Sequence, residues 1–122
     1  MNDIDQRAIE EVMEALSSMI SRTENVKTSF KEGSAQHSLQ RNRLQALRIA
    51  LDLVKDPVES HYSQGELVAS EAPIVSLISK SEKARQKLKP DSWQYAMLTH
   101  NLTALNTVLP ILKKAILEGK TQ

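Results

Sequence analysis

The apolar residues of this chain recur every three or four positions in four separate stretches. The first stretch carries Ile9, Met13, Leu16, Ile20, Thr23, Val26 and Phe30, and the second carries Gln40, Leu44, Leu47, Leu51 and Val54. The third carries Leu67, Ile74, Leu77, Ile78, Ala84 and Leu88, and the fourth Tyr95, Leu98, Leu102, Leu105, Leu109, Leu112 and Ile116. This spacing places each set along one side of an α-helix. The pattern therefore predicts four amphipathic helices.

Residues with known preferences at helix ends mark the boundaries of these helices. Gly33 can adopt a left-handed conformation after the first helix, and Ser34 can cap the second. The second helix is expected to end before Asp56-Pro57, because a residue that precedes proline avoids the helical region. A short turn then separates the third helix from the fourth, which Asp91 or Ser92 would cap.

Two of the four prolines fall inside predicted helices. Ser63 and Glu66 have the spacing of a capping box, so the third helix is expected to begin near Ser63 and to be kinked or split at Pro73. A start near Ser70, with Pro73 in the first turn, is the alternative. Pro110 is expected to bend the fourth helix, which runs to about Glu118.

An internal repeat links the two halves of the chain. Residues 15–54 align without a gap to residues 73–112, a shift of 58 positions, with 11 identities in 40 pairs. The identical pairs include the serines Ser18, Ser21, Ser76 and Ser79 and the leucines Leu44, Leu47, Leu102 and Leu105. Such a period defines the structural unit of a fold. The unit here is predicted to be a hairpin of two helices.

Two such hairpins predict one all-α domain over residues 1–122, a four-helix bundle with approximate two-fold symmetry. We place the first hairpin at about 4–55, a linker at 56–65 and the second hairpin at about 66–118. The repeated serines are interpreted as small residues that let the first and third helices pack closely across the symmetry axis.

Composition narrows the environment of the protein. Apolar residues make up 40% of the chain, cysteine is absent, and the formal net charge is +1. Disulfides, thiol chemistry and thiolate metal sites are therefore excluded. No apolar run approaches the length of a membrane span, so we expect a soluble, cytoplasmic protein without a membrane partner.

The sequence carries no pattern typical of a catalytic, metal or cofactor site. His37, His61 and His100 do not have the spacing of metal ligands, and no serine is accompanied by a marked base. The chain has three glycines and no glycine-rich phosphate loop. We therefore predict a protein that is not an enzyme and binds no cofactor.

Trp93 and Tyr95, at the start of the fourth helix, are candidate protein-binding residues. The repeat places Trp93 opposite Ala35, so the shared fold does not require a large ring at this position. Trp93 is either a lid over one end of the bundle or an exposed anchor for another protein. On this basis we predict a small adaptor or regulatory partner of another protein, with a homodimer also possible.

A basic surface supports the alternative, an accessory nucleic-acid-binding protein. Its cations on the second and third helices and the following turn are Arg41, Arg43, Arg48, Lys80, Lys83, Arg85, Lys87 and Lys89. Cations on one surface would bind phosphates without sequence preference and with strong salt dependence. A solvated set of charges that balances the acidic first helix is the simpler interpretation of the same residues.

Overall fold

The computed structural model describes the backbone of residues 3–56 and 61–120, and the side chains of 6–56 and 61–119. These ranges hold four helices, α1 (Asp3–Lys27), α2 (Ala35–Lys55), α3 (Gln64–Gln86) and α4 (Trp93–Lys120), and no strand. The prediction of an all-α four-helix bundle is confirmed. No helix in the described part of the chain is long and apolar enough to cross a membrane.

Serine caps begin α2 and α4 as the sequence predicts. The Ser34 hydroxyl accepts a hydrogen bond from the His37 backbone N–H at 3.1 Å. Ser92 accepts the corresponding bond from Tyr95 at 3.2 Å. Each bond satisfies a first-turn N–H group that has no partner within the helix. Gly33 has φ +89°, the left-handed conformation expected of it.

The third helix begins with the predicted capping box. Ser63 accepts from the backbone N–H of Glu66, and the Glu66 carboxylate accepts from the backbone N–H of Ser63. The helix continues through Pro73, so the predicted split at that residue is wrong.

Helix α2 ends at Lys55, before Asp56-Pro57 as predicted. Residues 57–60 of the predicted linker lie outside the described residues.

The helices follow one another around the bundle, and each pair in sequence packs side by side, as do α1 and α4. Across the diagonal, α2 and α4 have Cα atoms within 8 Å of each other, whereas no described Cα of α1 comes that close to α3. The expected packing of α1 on α3 through Ser18, Ser21, Ser76 and Ser79 is therefore wrong. Ser18 and Ser21 face solvent.

Small apolar residues belong to the buried core on α2 and α4. Ala46 and Ala50 on α2 and Ala104 on α4 are each at most 2% exposed. Short side chains in a core let helix backbones approach each other, as close packing requires.

The core consists of aliphatic side chains from all four helices. Its fully buried large members are Leu16, Leu47, Ile49, Leu53, Ile74, Leu105, Val108 and Leu112. The apolar stripe predicted for α1 does not reach its C-terminal end, because Val26 and Phe30 are 43% and 36% exposed. The backbone N–H groups of Ser29 and Phe30 bond three residues back, which tightens the chain and ends the helix at Lys27.

The two interhelix turns have matching hydrogen bonds. Ser29, Phe30, Ser34 and Ser38 donate to the carbonyls of Val26, Lys27, Lys31 and Ser34. Residues 58 positions later repeat all four bonds, from Lys87, Leu88, Ser92 and Ala96 to Ala84, Arg85, Lys89 and Ser92. Helices α2 and α4 also begin 58 residues apart. Both turns therefore have the same backbone bonding.

Candidate binding surfaces

A cleft of about 850 Å³ lies between α1 and α4 and is here called the α1/α4 cleft. Its floor is apolar, with Val12 of α1, Leu53 and Val54 of α2, and Ala104 and Ile111 of α4. Four of these five side chains are also buried members of the core. The cleft is therefore a site where core residues can be reached from outside.

Threonines form the middle of the α4 wall. The hydroxyl of Thr103 donates to the carbonyl of Thr99 at 3.0 Å, and that of Thr107 to the carbonyl of Thr103 at 2.7 Å. Each hydroxyl is thus bonded to its own helix, as Thr commonly does. The wall therefore needs no polar partner at these two residues.

A contact between α1 and α4 lies beside one end of the cleft, and charged side chains lie along its rim. A guanidinium N–H of Arg22 on α1 lies 3.4 Å from the thioether sulfur of Met97 on α4. Farther along the rim are Glu11 on α1 and Lys114 on α4. The α1 wall thus carries a negative charge, whereas the α4 wall carries the positive charge of Lys114 and, at its end, the negative charge of Glu118.

Trp93 is exposed at the end of the bundle that holds the two turns. Its side chain is 70% accessible, so it is not a lid over the core. Tyr95 is half-buried, with the guanidinium of Arg85 5.4 Å from its ring centre. Arg85 also donates to the Thr99 hydroxyl at 3.1 Å. Of the two predicted protein-binding residues, Trp93 is available to a partner, whereas Tyr95 takes part in packing α3 on α4.

The predicted basic residues do not form one surface. Arg43 is buried, Arg48 is ion-paired with Glu24 of α1, and Arg85 is held at Tyr95. Arg41 precedes Arg48 by two helical turns and therefore lies on the α1 side of α2. The exposed cations that remain together are Lys80, Lys83 and Lys87 on or at the end of α3, with Lys89 in the turn.

A second hollow, of about 510 Å³, lies between α2 and α3 and is here called the α2/α3 groove. Arg43 forms part of its lining and is only 8% exposed. Its Nε atom has no hydrogen-bond partner, and burial lowers the pKa of the guanidinium. The sequence predicts Arg43 on a solvated surface, because a cation beside an apolar stripe normally faces water.

One further polar contact joins α2 to the segment before α3. The phenol of Tyr62 donates a hydrogen bond to the Asp52 carboxylate. This bond, together with burial and the negative charge of Asp52, raises the pKa of Tyr62 to about 12. In the described residues, no three His, Asp or Glu side chains are grouped as metal ligands would be.

Neither hollow was predicted from the sequence. The signal for the α1/α4 cleft is the run of small residues on its walls, namely Ala8, Thr103, Ala104, Thr107 and Ala115. Small side chains also occur in close helix contacts, so their presence alone does not distinguish a cleft from a tight interface. The chain matches no protein-family model, no curated protein and no solved structure.

Proposed function

We propose that this protein is a non-enzymatic binding module that receives an amphipathic helix of another protein in the α1/α4 cleft. The observation that carries the proposal is an apolar floor of Val12, Leu53 and Val54 that remains reachable through an opening between two helices. Binding of a helix in such a groove is a common mode of protein recognition. We also propose that the protein is cytoplasmic.

The dimensions of the cleft support a helical occupant. Its α4 wall runs from His100 to Glu118, a length of about 27 Å at the rise of an α-helix. A partner helix of about five turns would cover this wall. Because Thr103 and Thr107 bond to their own helix, the wall contacts an apolar stripe without leaving hydroxyls unpaired.

The rim charges define the expected partner more closely. Glu11 on the α1 side favours Lys or Arg along one flank of the incoming helix. On the α4 side, Lys114 favours an Asp or Glu opposite it, whereas Glu118 favours a Lys or Arg at the end of that flank. The expected partner segment is therefore an apolar stripe at helical spacing, with cations on the flank that faces α1 and an anion opposite Lys114.

Trp93 extends the proposed surface beyond the cleft. It precedes His100, Thr107 and Lys114 by successive steps of seven residues on α4. Seven residues are nearly two helical turns, so these side chains follow one side of the helix with only a gradual drift. A partner helix longer than the cleft would therefore reach Trp93, which is the type of residue that often anchors an interface.

The experiment is a selection of helical peptides on the intact protein, followed by titration of the selected peptides. We expect sequences with the stripe and flanks described above. Replacing Thr107 with Arg should block the cleft and weaken binding at least tenfold. The matched control is Asn106→Arg, the neighbouring exposed residue that does not line the cleft. Peptides that bind both variants equally would contradict the proposal.

Two alternative partners are separated by simple measurements. If the occupant is a second copy of the chain, light scattering will show a dimer that Thr107→Arg dissociates. Nucleic-acid binding through Lys80, Lys83, Lys87 and Lys89 would fall steeply between low and moderate salt. No binding of DNA or RNA at low salt would eliminate this alternative.

We also propose that the bundle consists of two equivalent hairpins related by approximate two-fold symmetry. The matching turn bonds support this proposal. So do the two hollows, since α1/α4 and α3/α2 are equivalent pairs under such a symmetry. Their linings share five pairs of residues related by a shift of 58, namely Ala8/Glu66, Glu11/Ala69, Val12/Ser70, His100/Asn42 and Thr103/Gln45.

A further inference from the structure

The α2/α3 groove contains a buried cation without a partner. Arg43 is more than nine-tenths buried, and its Nε atom has neither solvent contact nor an acceptor. No described residue forms a hydrogen bond or an ion pair with its guanidinium. A donor sealed from water in this way is costly unless an acceptor compensates it. The protein alone therefore leaves the guanidinium without a compensating anion.

Two acceptors of the groove are engaged at the start of α3. Glu66, which lines the same hollow, has its carboxylate bonded to the Ser63 backbone N–H at 2.9 Å as part of the capping box. It lies too far from Arg43 to form an ion pair with it. The Ser70 hydroxyl donates to the Glu66 carbonyl at 2.9 Å. Both groups stabilise the start of α3 and do not serve Arg43.

Other groups in the groove suit an incoming oxyanion. Asn42 and Ser76 belong to the same lining, and each can donate a neutral hydrogen bond. Leu39 and Pro73 add apolar surface beside them. The guanidinium itself presents several N–H donors in one plane, which matches two oxygens of a carboxylate or a phosphate.

The geometry points to an oxyanion-binding site in the α2/α3 groove, where Arg43 holds the carboxylate or phosphate group of a small ligand. This site faces away from the α1/α4 cleft and is independent of the function proposed for that cleft. The second half of the chain lacks the cation, because the partner of Arg43 at a shift of 58 is Asn101. The site is thus specific to the α2/α3 side of the bundle.

The test uses the full chain with sodium phosphate and sodium acetate as separate probes, against sodium chloride at equal ionic strength. We expect the Nε–H resonance of Arg43 to shift saturably with at least one of the two probes. The melting temperature should rise in parallel, since a ligand that binds only the folded state stabilises it. Response to phosphate alone or to acetate alone identifies the preferred oxyanion.

Matched variants assign the response to Arg43. Arg43→Met should weaken the saturable effect at least tenfold, whereas Arg41→Met, at an exposed position of the same helix, should retain it. Arg43→Lys should bind more weakly than the parent, because it loses the planar set of donors. If Arg43→Met does not fold, the resonance of the parent protein decides the question alone. An Nε–H signal unmoved by either probe would overturn the proposal.

Discussion

The side-chain amide of Gln64 donates a hydrogen bond to the carbonyl of Ile116 at 2.8 Å, which ties the first residue of α3 to the last turns of α4. The same side chain covers Gly119, where an added Cβ would lie only 1.9 Å from the Gln64 Oε1 atom. The absence of a side chain at Gly119 thus makes room for the amide that caps α4. Residues 52 positions apart are joined at this end of the bundle.

This relationship predicts a coupled pair of substitutions. Gln64→Ala should lower the free energy of unfolding by about 0.5–1.5 kcal/mol through loss of the hydrogen bond. Gly119→Ala should add helix propensity, by up to about 1 kcal/mol, only when Gln64 is already alanine. In the parent protein the added methyl group displaces the Gln64 amide, so Gly119→Ala raises the free energy of unfolding only slightly. Urea unfolding of the parent, the two single variants and the double variant measures the coupling. Additive effects of the two substitutions would contradict the proposed contact.

Leu47 and Leu105, partners at a shift of 58, provide a test of the proposed equivalence of the hairpins. Both are fully buried, at 1% and 0% exposure. Replacing either with alanine should cost about 2–5 kcal/mol, because a cavity remains in a close-packed core. Symmetry predicts similar costs at the two sites. Leu117→Ala, at 63% exposure, is the control and should change stability by less than about 0.5 kcal/mol.

Much of the fold was predictable because its signals are local. Ser34 and Ser92 are recognisable as caps from the residues beside them, and their capping bonds depend on nothing distant. The capping box of Ser63 with Glu66 is equally local. Phe30 was wrongly placed in the stripe of α1, because periodicity alone does not reveal where a helix tightens and ends.

The arrangement across the bundle was not predictable in the same way. Small residues on every helix could close a diagonal, and the repeated serines made α1 and α3 the apparent pair. The helices that approach each other across the bundle are α2 and α4 instead. The choice depends on how side-chain volumes from all four helices fill the core together. The burial of Arg43 has the same origin, since it follows from the packing of α2 on α3.

The hydrogen bond from Tyr62 to Asp52 predicts a loss of stability at high pH. The folded protein holds the phenol proton more tightly than the unfolded chain, because the pKa rises from 10.0 to about 12. Its contribution is therefore complete below pH 10.0 and is lost progressively as the pH rises towards about 12. Asp52→Asn should lower the pKa of Tyr62 and flatten this dependence. Absorbance titration in a Tyr95→Phe background isolates the Tyr62 phenol, and titration near pH 10 would contradict the contact.

Trp93 is the one tryptophan of the chain, so fluorescence reports on it alone. At 70% exposure it should emit close to free tryptophan in water and be readily quenched by acrylamide. A peptide that fills the α1/α4 cleft and extends over Trp93 should shift the emission to shorter wavelength. A peptide confined to the cleft should leave the emission unchanged. Blue-shifted emission from the unbound, monomeric protein would contradict the exposed position of the ring.

Arg43→Met should make the ligand-free protein more stable. The cation is 8% exposed and its Nε atom is unpaired, so its replacement removes a desolvation cost without breaking a hydrogen bond. Exchange of buried charges for well-packed apolar side chains is often neutral or stabilising, by about 1–4 kcal/mol in favourable cases.

Arg41→Met is the control for this exchange, because Arg41 is exposed on the same helix. It should change the free energy of unfolding by less than about 0.5 kcal/mol. Denaturant unfolding in a buffer free of phosphate and carboxylates measures both variants. A marked loss of stability in Arg43→Met would mean that the guanidinium already has a stabilising partner within the chain. A gain would mean that the protein retains Arg43 at a cost to its own stability, as expected of a residue kept for binding.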